Sequence, residues 1–234
     1  MFTRSARFYD VLYSWKDYVG ETAKLAAMIR ERNPRARTLL DVACGTGKHL
    51  ELLREQFDVE GLDLDDQLLA IARERLLGVP LHRGDMLDFH LGKTFDVVTC
   101  LFSSVAYART TENLVRAIIT MAAHVEPRGV LVVEPFFPPE QWQPGHPFAL
   151  FVDEPDLTIA RMDVAPPPEQ GIVRITFHYL VGTPDGVDHF IETHDIALFT
   201  HDEYVGAFRA AGLEPEHDAE GLMGRGVYVA VKPG

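Results

Sequence analysis

Carboxylates in this sequence recur at one kind of position, the end of an apolar, strand-like run. The first run, Thr38-Leu39-Leu40-Asp41-Val42, leads into small residues at Ala43, Gly45 and Gly47 and then into a helical stretch. Glycine reaches positive φ and lets a ligand approach the backbone, while a helix start offers unpaired N–H groups. Such a turn suits a nucleotide-like ligand. A dinucleotide fingerprint needs a third small residue three positions past the second glycine. Leu50 stands there, and counting from Ala43 puts Lys48 there, so the pyrophosphate form is absent; no Gly-Lys-Ser/Thr follows either. Asp63 closes the next apolar run, where a carboxylate can accept from two adjacent ribose hydroxyls. Asp85 follows Arg83-Gly84, where it can take an adenine amino group while Met86 packs on the ring, and Glu134 ends a Val-rich run. One strand-end acid alone is more often a cap or turn residue. Three of them spaced behind Asp41 and the glycines define a ligand edge.

Alternating units must position these acids. Strands are expected over 38–43, 57–63, 81–84, 95–102 and 129–134, with helices over 47–56, 65–77 and 112–125 between them. Near-continuous Val and Leu in the strands implies a mostly parallel sheet with helices on both faces, and ligands bind such sheets at the carboxyl ends. The fold class is therefore α/β and Rossmann-like, with an antiparallel β insertion. Past Pro135 the rhythm changes, and 157–164, 172–181 and 187–199 are expected to form three antiparallel strands. Thr200 then caps a last helix, and a strand pair closes the chain. The 234 residues are expected to form a single domain: a helical flap (1–36), a cofactor-binding core (37–135), the insertion (136–199) and the closing elements (200–234). The flap is expected to run helically from about 6 to 32 and to offer Tyr9, Tyr13 and Tyr18 to the site.

Charge narrows the partners. The chain has 22 Lys and Arg against 35 Asp and Glu, a formal net charge of −13. Phosphate backbones are bound largely by cations, so nucleic acid is not an expected partner. No apolar run approaches the ~20 residues of a membrane helix, and no secretion signal opens the chain. Cys44 and Cys100 lack metal-ligand spacing and read as buried hydrophobes of a reducing cytoplasm. No metal is expected, and a homodimer is compatible with the sequence.

The turn from Asp41 to Gly47, with Asp63 and Gly84-Asp85-Met86, resembles the class I S-adenosylmethionine-dependent methyltransferases. The resemblance extends to the TDP-aminosugar N,N-dimethyltransferases through Cys100-Leu101-Phe102-Ser103-Ser104, Val132-Val133-Glu134-Pro135, Ile196-Ala197-Leu198-Phe199 and Gly224-Arg225-Gly226, and so spans nearly the whole chain. It implies S-adenosylmethionine as cofactor, S-adenosylhomocysteine as product and a small-molecule acceptor, most simply the amine of a nucleotide-linked sugar. Cofactor contacts are then expected from Tyr9, Tyr13, Tyr18, Asp41, Ala43, Gly45, Gly47, Asp63, Leu64, Asp85, Met86 and Leu101. Acceptor contacts are expected from Ser103, Glu134 and Arg225, whose planar fork suits phosphate oxygens. The group carries a His shortly after the Ser-Ser pair; Tyr107 takes that place here. Tyr107, His178 and His194 are the expected catalytic groups, Tyr107 lining the pocket and His178 or His194 accepting a proton. O- or C-methylation of another metabolite, a non-catalytic cofactor-binding module and, less well supported given Leu50, a nicotinamide-dependent oxidoreductase are the alternatives.

Overall fold

The computed structural model describes residues 4–234. Strands β1 (Thr38–Val42), β2 (Asp58–Asp63), β3 (Leu81–Arg83), β4 (Phe95–Cys100) and β5 (Val125–Val133) pair in parallel, and β10 (Glu216–Asp218) and β11 (Val227–Val231) complete the sheet antiparallel. The order is β10-β11-β5-β4-β1-β2-β3. Strand order reverses between β1 and β4, so their carboxyl ends open the crevice where ligands bind in such sheets. Helices α3 (Lys48–Leu53), α4 (Asp66–Arg75), α5 (Thr111–Ala123) and α6 (His201–Ala210) follow the expected pattern. Asp65 caps α4, accepting from the N–H groups of Gln67 and Leu68, and Thr200 and Glu203 form a capping box on α6. Two apolar clusters fill the two faces of the sheet, one around Leu40, Val98 and Ile118 and one around Leu39, Leu50 and Val97.

The insertion is a separate antiparallel sheet of four strands, β6 (Pro147–Glu154), β7 (Leu157–Val164), β8 (Ile172–Thr183) and β9 (Gly186–Ala197). Sequence reading gives three. The additional strand starts at Pro147 and pairs only with β7, an edge position where proline's missing N–H costs no ladder bond. Its inner face, with Val152, Ile159, Tyr179, Val181 and Phe190, buries Phe8 and Leu12 of the N-terminal segment. Burial of two such side chains is worth roughly 3–6 kcal/mol before ordering costs, enough to dock that segment.

The N-terminal segment is not one helix. After α1 (Tyr9–Leu12) the chain turns, and Asp17 starts α2 (Tyr18–Arg32) by accepting from Gly20 N at 2.9 Å. A side-chain cap opens a new helix register here, which a continuous reading of the pattern overlooks. Among the described residues no helix is long and apolar enough to cross a membrane.

Candidate active site

Two cavities meet over the carboxyl ends of β1, β2 and β4. The larger, about 680 Å³, is lined by Ala43, Gly45, Asp63, Leu64, Asp85, Met86 and Leu87 on the core side, and by Arg109, Arg174 and Asp195 at its outer rim. The second, about 480 Å³, is walled by aromatic rings and holds Arg161, Arg225 and His194. Tyr9, Ser104 and Tyr107 line both. A narrow niche between Asp41, Ala43, Gly45, Tyr18, His49 and Leu101 extends the first cavity under the glycine turn.

The core side is built by short-range rules. Gly45 lies at φ +57° beside open space, and its N–H donates to Asp63 Oδ2 at 2.7 Å. Asp63 Oδ1 accepts from Asp65 N at 2.8 Å. Each carboxylate oxygen accepts more than one hydrogen bond, so both retain capacity toward the cavity. Burial pushes the Asp63 carboxyl up, against the backbone N–H groups that pull it down. Asp41 is fully buried and accepts from Thr99 Oγ1 at 2.7 Å; burial pushes it up to about 7, the Thr99 hydroxyl opposes that, and Asp63's charge adds to it. Asp85 accepts from Leu87 N at 3.0 Å, which fixes it beside Met86. Asp10 of α1 accepts from Thr46 Oγ1 at 2.6 Å and pairs with Arg75, tying the N-terminal segment to the turn.

Gly47 and Glu134 need correction as direct contacts. Gly47 adopts φ +77°, and a Cβ there would lie 2.6 Å from Leu76 Cδ1; its glycine serves packing on α4, and it lines neither cavity nor the niche. Glu134 is fully buried and accepts from Phe102 N at 2.6 Å, supporting the turn after β4 from below and lining neither cavity. Phe102 and Ser103 both take left-handed backbone, at φ 50° and 62°. That bend carries Phe102 into the wall shared by the niche and the second cavity.

The second cavity is assembled from remote segments. Ser103 Oγ donates to Pro135 O at 2.7 Å and accepts from Arg225 at 3.1 Å. The Arg225 guanidinium sits over the rings of Phe102, Phe136 and Phe137, at 5.5, 5.9 and 5.0 Å. Tyr13, expected among the cofactor contacts, packs edge-on against Phe102 and lines this second cavity rather than the one that holds Asp63 and Asp85. Tyr107 Oη and His194 Nδ1 are 2.7 Å apart. His194 is 1% exposed, and burial first, then neighbouring positive charge including Arg161, lowers it to about 4. It is therefore neutral near pH 7. Burial pushes the Tyr107 phenol far up, so it stays protonated.

His178 is the catalytic expectation that fails geometrically. It is exposed on the outer face of the insertion sheet and stacks on His189. Side chains alternate across a strand, and Tyr179, not His178, points inward. Sequence reading also passed over Phe102, Ser104 and Arg161. For Arg161 a signal was present: in Leu157-Thr158-Ile159-Ala160-Arg161 the alternation puts the arginine on the face of Ile159.

A sheet of this order, with strand-end acids around a glycine turn and a divided cavity, defines a class I S-adenosylmethionine-dependent methyltransferase. The family described as a methyltransferase domain matches residues 39–129. Over 97% of its length the chain is 46% identical to the dTDP-3-amino-3,6-dideoxy-alpha-D-glucopyranose N,N-dimethyltransferase of Streptomyces fradiae, covering 90% of that protein. It is 44% identical, again over 97% of its length and 97% of the relative, to the dTDP-3-amino-3,4,6-trideoxy-alpha-D-glucopyranose N,N-dimethyltransferase of Streptomyces venezuelae. The crystal structure of Streptomyces venezuelae DesVI superposes with a TM-score of 0.93 at 42% identity, covering all of both chains. SAM-bound CalS10, an amino pentose methyltransferase from Micromonospora echinaspora, gives 0.88 at 40% identity, covering 99% and 98%. The chain belongs to the same methyltransferase family as these sugar N,N-dimethyltransferases, and Tyr107 in place of histidine does not remove it.

The residues present fit S-adenosylmethionine. Its hydroxyls and adenine amino group are donors, and the first cavity offers Asp63 and Asp85 as acceptors beside apolar Leu64 and Met86. When bound, the cofactor supplies a methyl group made electrophilic by a sulfonium.

Proposed function

We propose that this enzyme methylates the amino group of a dTDP-linked deoxyamino sugar, twice in succession. The observation that carries the reading is the partition: among the described residues only Tyr9, Ser104 and Tyr107 line both large cavities, so cofactor and acceptor would meet there. Direct displacement needs the nucleophile about 3–3.5 Å from the methyl carbon and roughly in line, and a divided site enforces that. Relatives acting on dTDP-amino sugars supply the acceptor class.

Roles follow from position. Asp63 takes the ribose hydroxyls, Asp85 and Met86 the adenine, and Asp41 with Tyr18 and Leu101 the methionyl end; Tyr9, Ala43, Gly45 and Leu64 complete the cradle. Arg225 and Ser103 hold the diphosphate. A neutral amine is already nucleophilic, so the Tyr107–His194 pair only relays the proton released after transfer. The test is incubation with S-adenosylmethionine and dTDP-linked 3-amino and 4-amino sugars, read by mass spectrometry. Gains of one and then two methyl groups are expected on one of them; no gain on any amine overturns the reading.

A second copy of the chain is the partner we infer for the outer face of the insertion sheet. Phe151, Met162, Leu180 and Ile191 are exposed there, Phe151 by 70%. The free face of an antiparallel sheet is normally polar, and one symmetric partner would cover these side chains. Sedimentation should report about twice the chain mass, and Phe151→Glu should return the monomer.

A further inference from the structure

Among the described residues Arg161 is a buried cation without an ion pair. It is 6% exposed, in the middle of β7 and in the wall of the acceptor cavity. Its guanidinium lies over Phe177 at 4.9 Å and over Tyr13 at 5.5 Å, and Nη1 donates to Tyr13 Oη at 3.2 Å. Nε finds no acceptor, and among the described residues no carboxylate pairs with the group. Proteins almost never bury a charge unpaired, because desolvation costs several kcal/mol. A retained one acts on whatever shares its cavity.

We propose that Arg161 is a positioning charge that keeps the acceptor's amino group in its neutral, nucleophilic form. The proposal rests on the amine reading above. An ammonium entering the cavity would face a like charge in a medium of low dielectric, so it leaves its proton in water. The same repulsion drives off the proton that the once-methylated nitrogen carries, and its lone pair is restored for the second transfer. In each transfer that lone pair forms the N–C bond, and the C–S bond breaks with its electrons to sulfur. Only partial positive charge has reached nitrogen at the transition state. The repulsion therefore penalises the protonated ground state more than the reaction itself.

The groups facing Arg161 do not cancel it. From β8 comes the phenol of Tyr179 directly opposite, from α1's end that of Tyr13 and from the turn after β4 that of Tyr107; from β6 only Leu150 lies opposite. On β9, Glu192 accepts from Arg4 N at 2.6 Å and Ser5 N at 2.9 Å, directed at the N-terminal segment, and His194 is neutral near pH 7. Asp163, two residues along β7 and in the wall of the same cavity, forms no ion pair with Arg161; burial pushes its carboxyl up, and the charge of Arg161 only partly opposes that.

The test is the pH dependence of kcat at saturating cofactor and acceptor, which reports groups in the complex. In the wild type the acid limb should lie below the free acceptor's ammonium titration. Arg161→Met should move it upward by about one pH unit, a roughly tenfold loss of kcat on the acid side, with the alkaline plateau kept; Arg161→Lys should restore it. Binding of S-adenosylhomocysteine to each variant checks the fold. A uniform loss of rate with an unmoved limb overturns the proposal. So does an unmoved limb with inhibition by the free nucleoside diphosphate weakened more than tenfold, which would make Arg161 a phosphate anchor. Absence of any amine turnover by the wild type would instead sink the amine reading.

Discussion

The two cavities are made in opposite ways. The cofactor side is lined by acids at the ends of neighbouring parallel strands, held by backbone N–H groups within a few residues: Asp63 by Gly45 and Asp65, Asp85 by Leu87. The acceptor side has rings and cations drawn from α1, the turn after β4, the loop after β5, β7, β9 and the segment before β11. One wall offers carboxylate acceptors and is fixed by local geometry. The other is shaped by packing, and its charges lie isolated among rings. Short-range turns thus set the first wall, and long-range packing sets the second.

Substitutions on either wall should separate cleanly. Asp63→Ala removes two acceptor oxygens and the support of Gly45 N; hydrogen bonds to a charged group are worth about 1.5–3 kcal/mol each, so affinity for S-adenosylhomocysteine should fall about a hundredfold or more by calorimetry. Arg225→Ala should leave that affinity within about twofold and raise the acceptor KM about tenfold. Equal cofactor losses in the two variants would erase the division between the walls. Tyr107→Phe, at the partition, should lower kcat by about threefold to tenfold with both affinities nearly kept, since a relay assists but does not drive the transfer.

Acid titration sharpens the contrast, because the two walls respond with opposite signs. His194 titrates near 4 when folded against about 6.5 unfolded, so the unfolded chain binds the extra proton; stability is lost as pH falls from about 6.5 toward 4. Asp41 titrates near 7 against 3.8, so the folded chain holds the extra proton, and its contribution is lost as pH rises through that window. Thermal melts of His194→Phe and Asp41→Asn across pH 4–7 should change slope in opposite directions. Proton release on binding S-adenosylhomocysteine near pH 7, measured in buffers of different ionisation enthalpy, should be present in the wild type and absent in Asp41→Asn. His178→Ala, on the outer face, should change none of these quantities beyond error.

Legibility in the sequence follows the same division. The parallel core could be read because each acid sits at a fixed offset from its own apolar strand, and Asp41, Ala43, Gly45, Asp63, Asp85 and Met86 lie where that offset puts them. Gly47 was misread because a left-handed glycine looks alike whether it faces a ligand or a neighbouring Leu76. His178 and His194 both sit on long strands; the apolar alternation of Ile175, Phe177 and Tyr179 turns His178 outward, whereas His194 shares its inward face with the polar Glu192, which hides that face from a reading of hydrophobicity. Phe102 acquires its surroundings from Tyr13 and Arg225, far away in the chain, which no local pattern records; for Arg161 the alternation gives the face but not the rings of Tyr13 and Phe177 that meet it there.

Ser103 shows how selection can act at a position that stability hardly reports. Its left-handed backbone costs about 1 kcal/mol relative to glycine, and its hydroxyl, shared by Pro135 O and Arg225, returns a similar amount. Ser103→Gly should thus leave the melting temperature almost still while Arg225 loses its tether. A screen for thermal robustness would accept that variant, and only one for turnover would reject it.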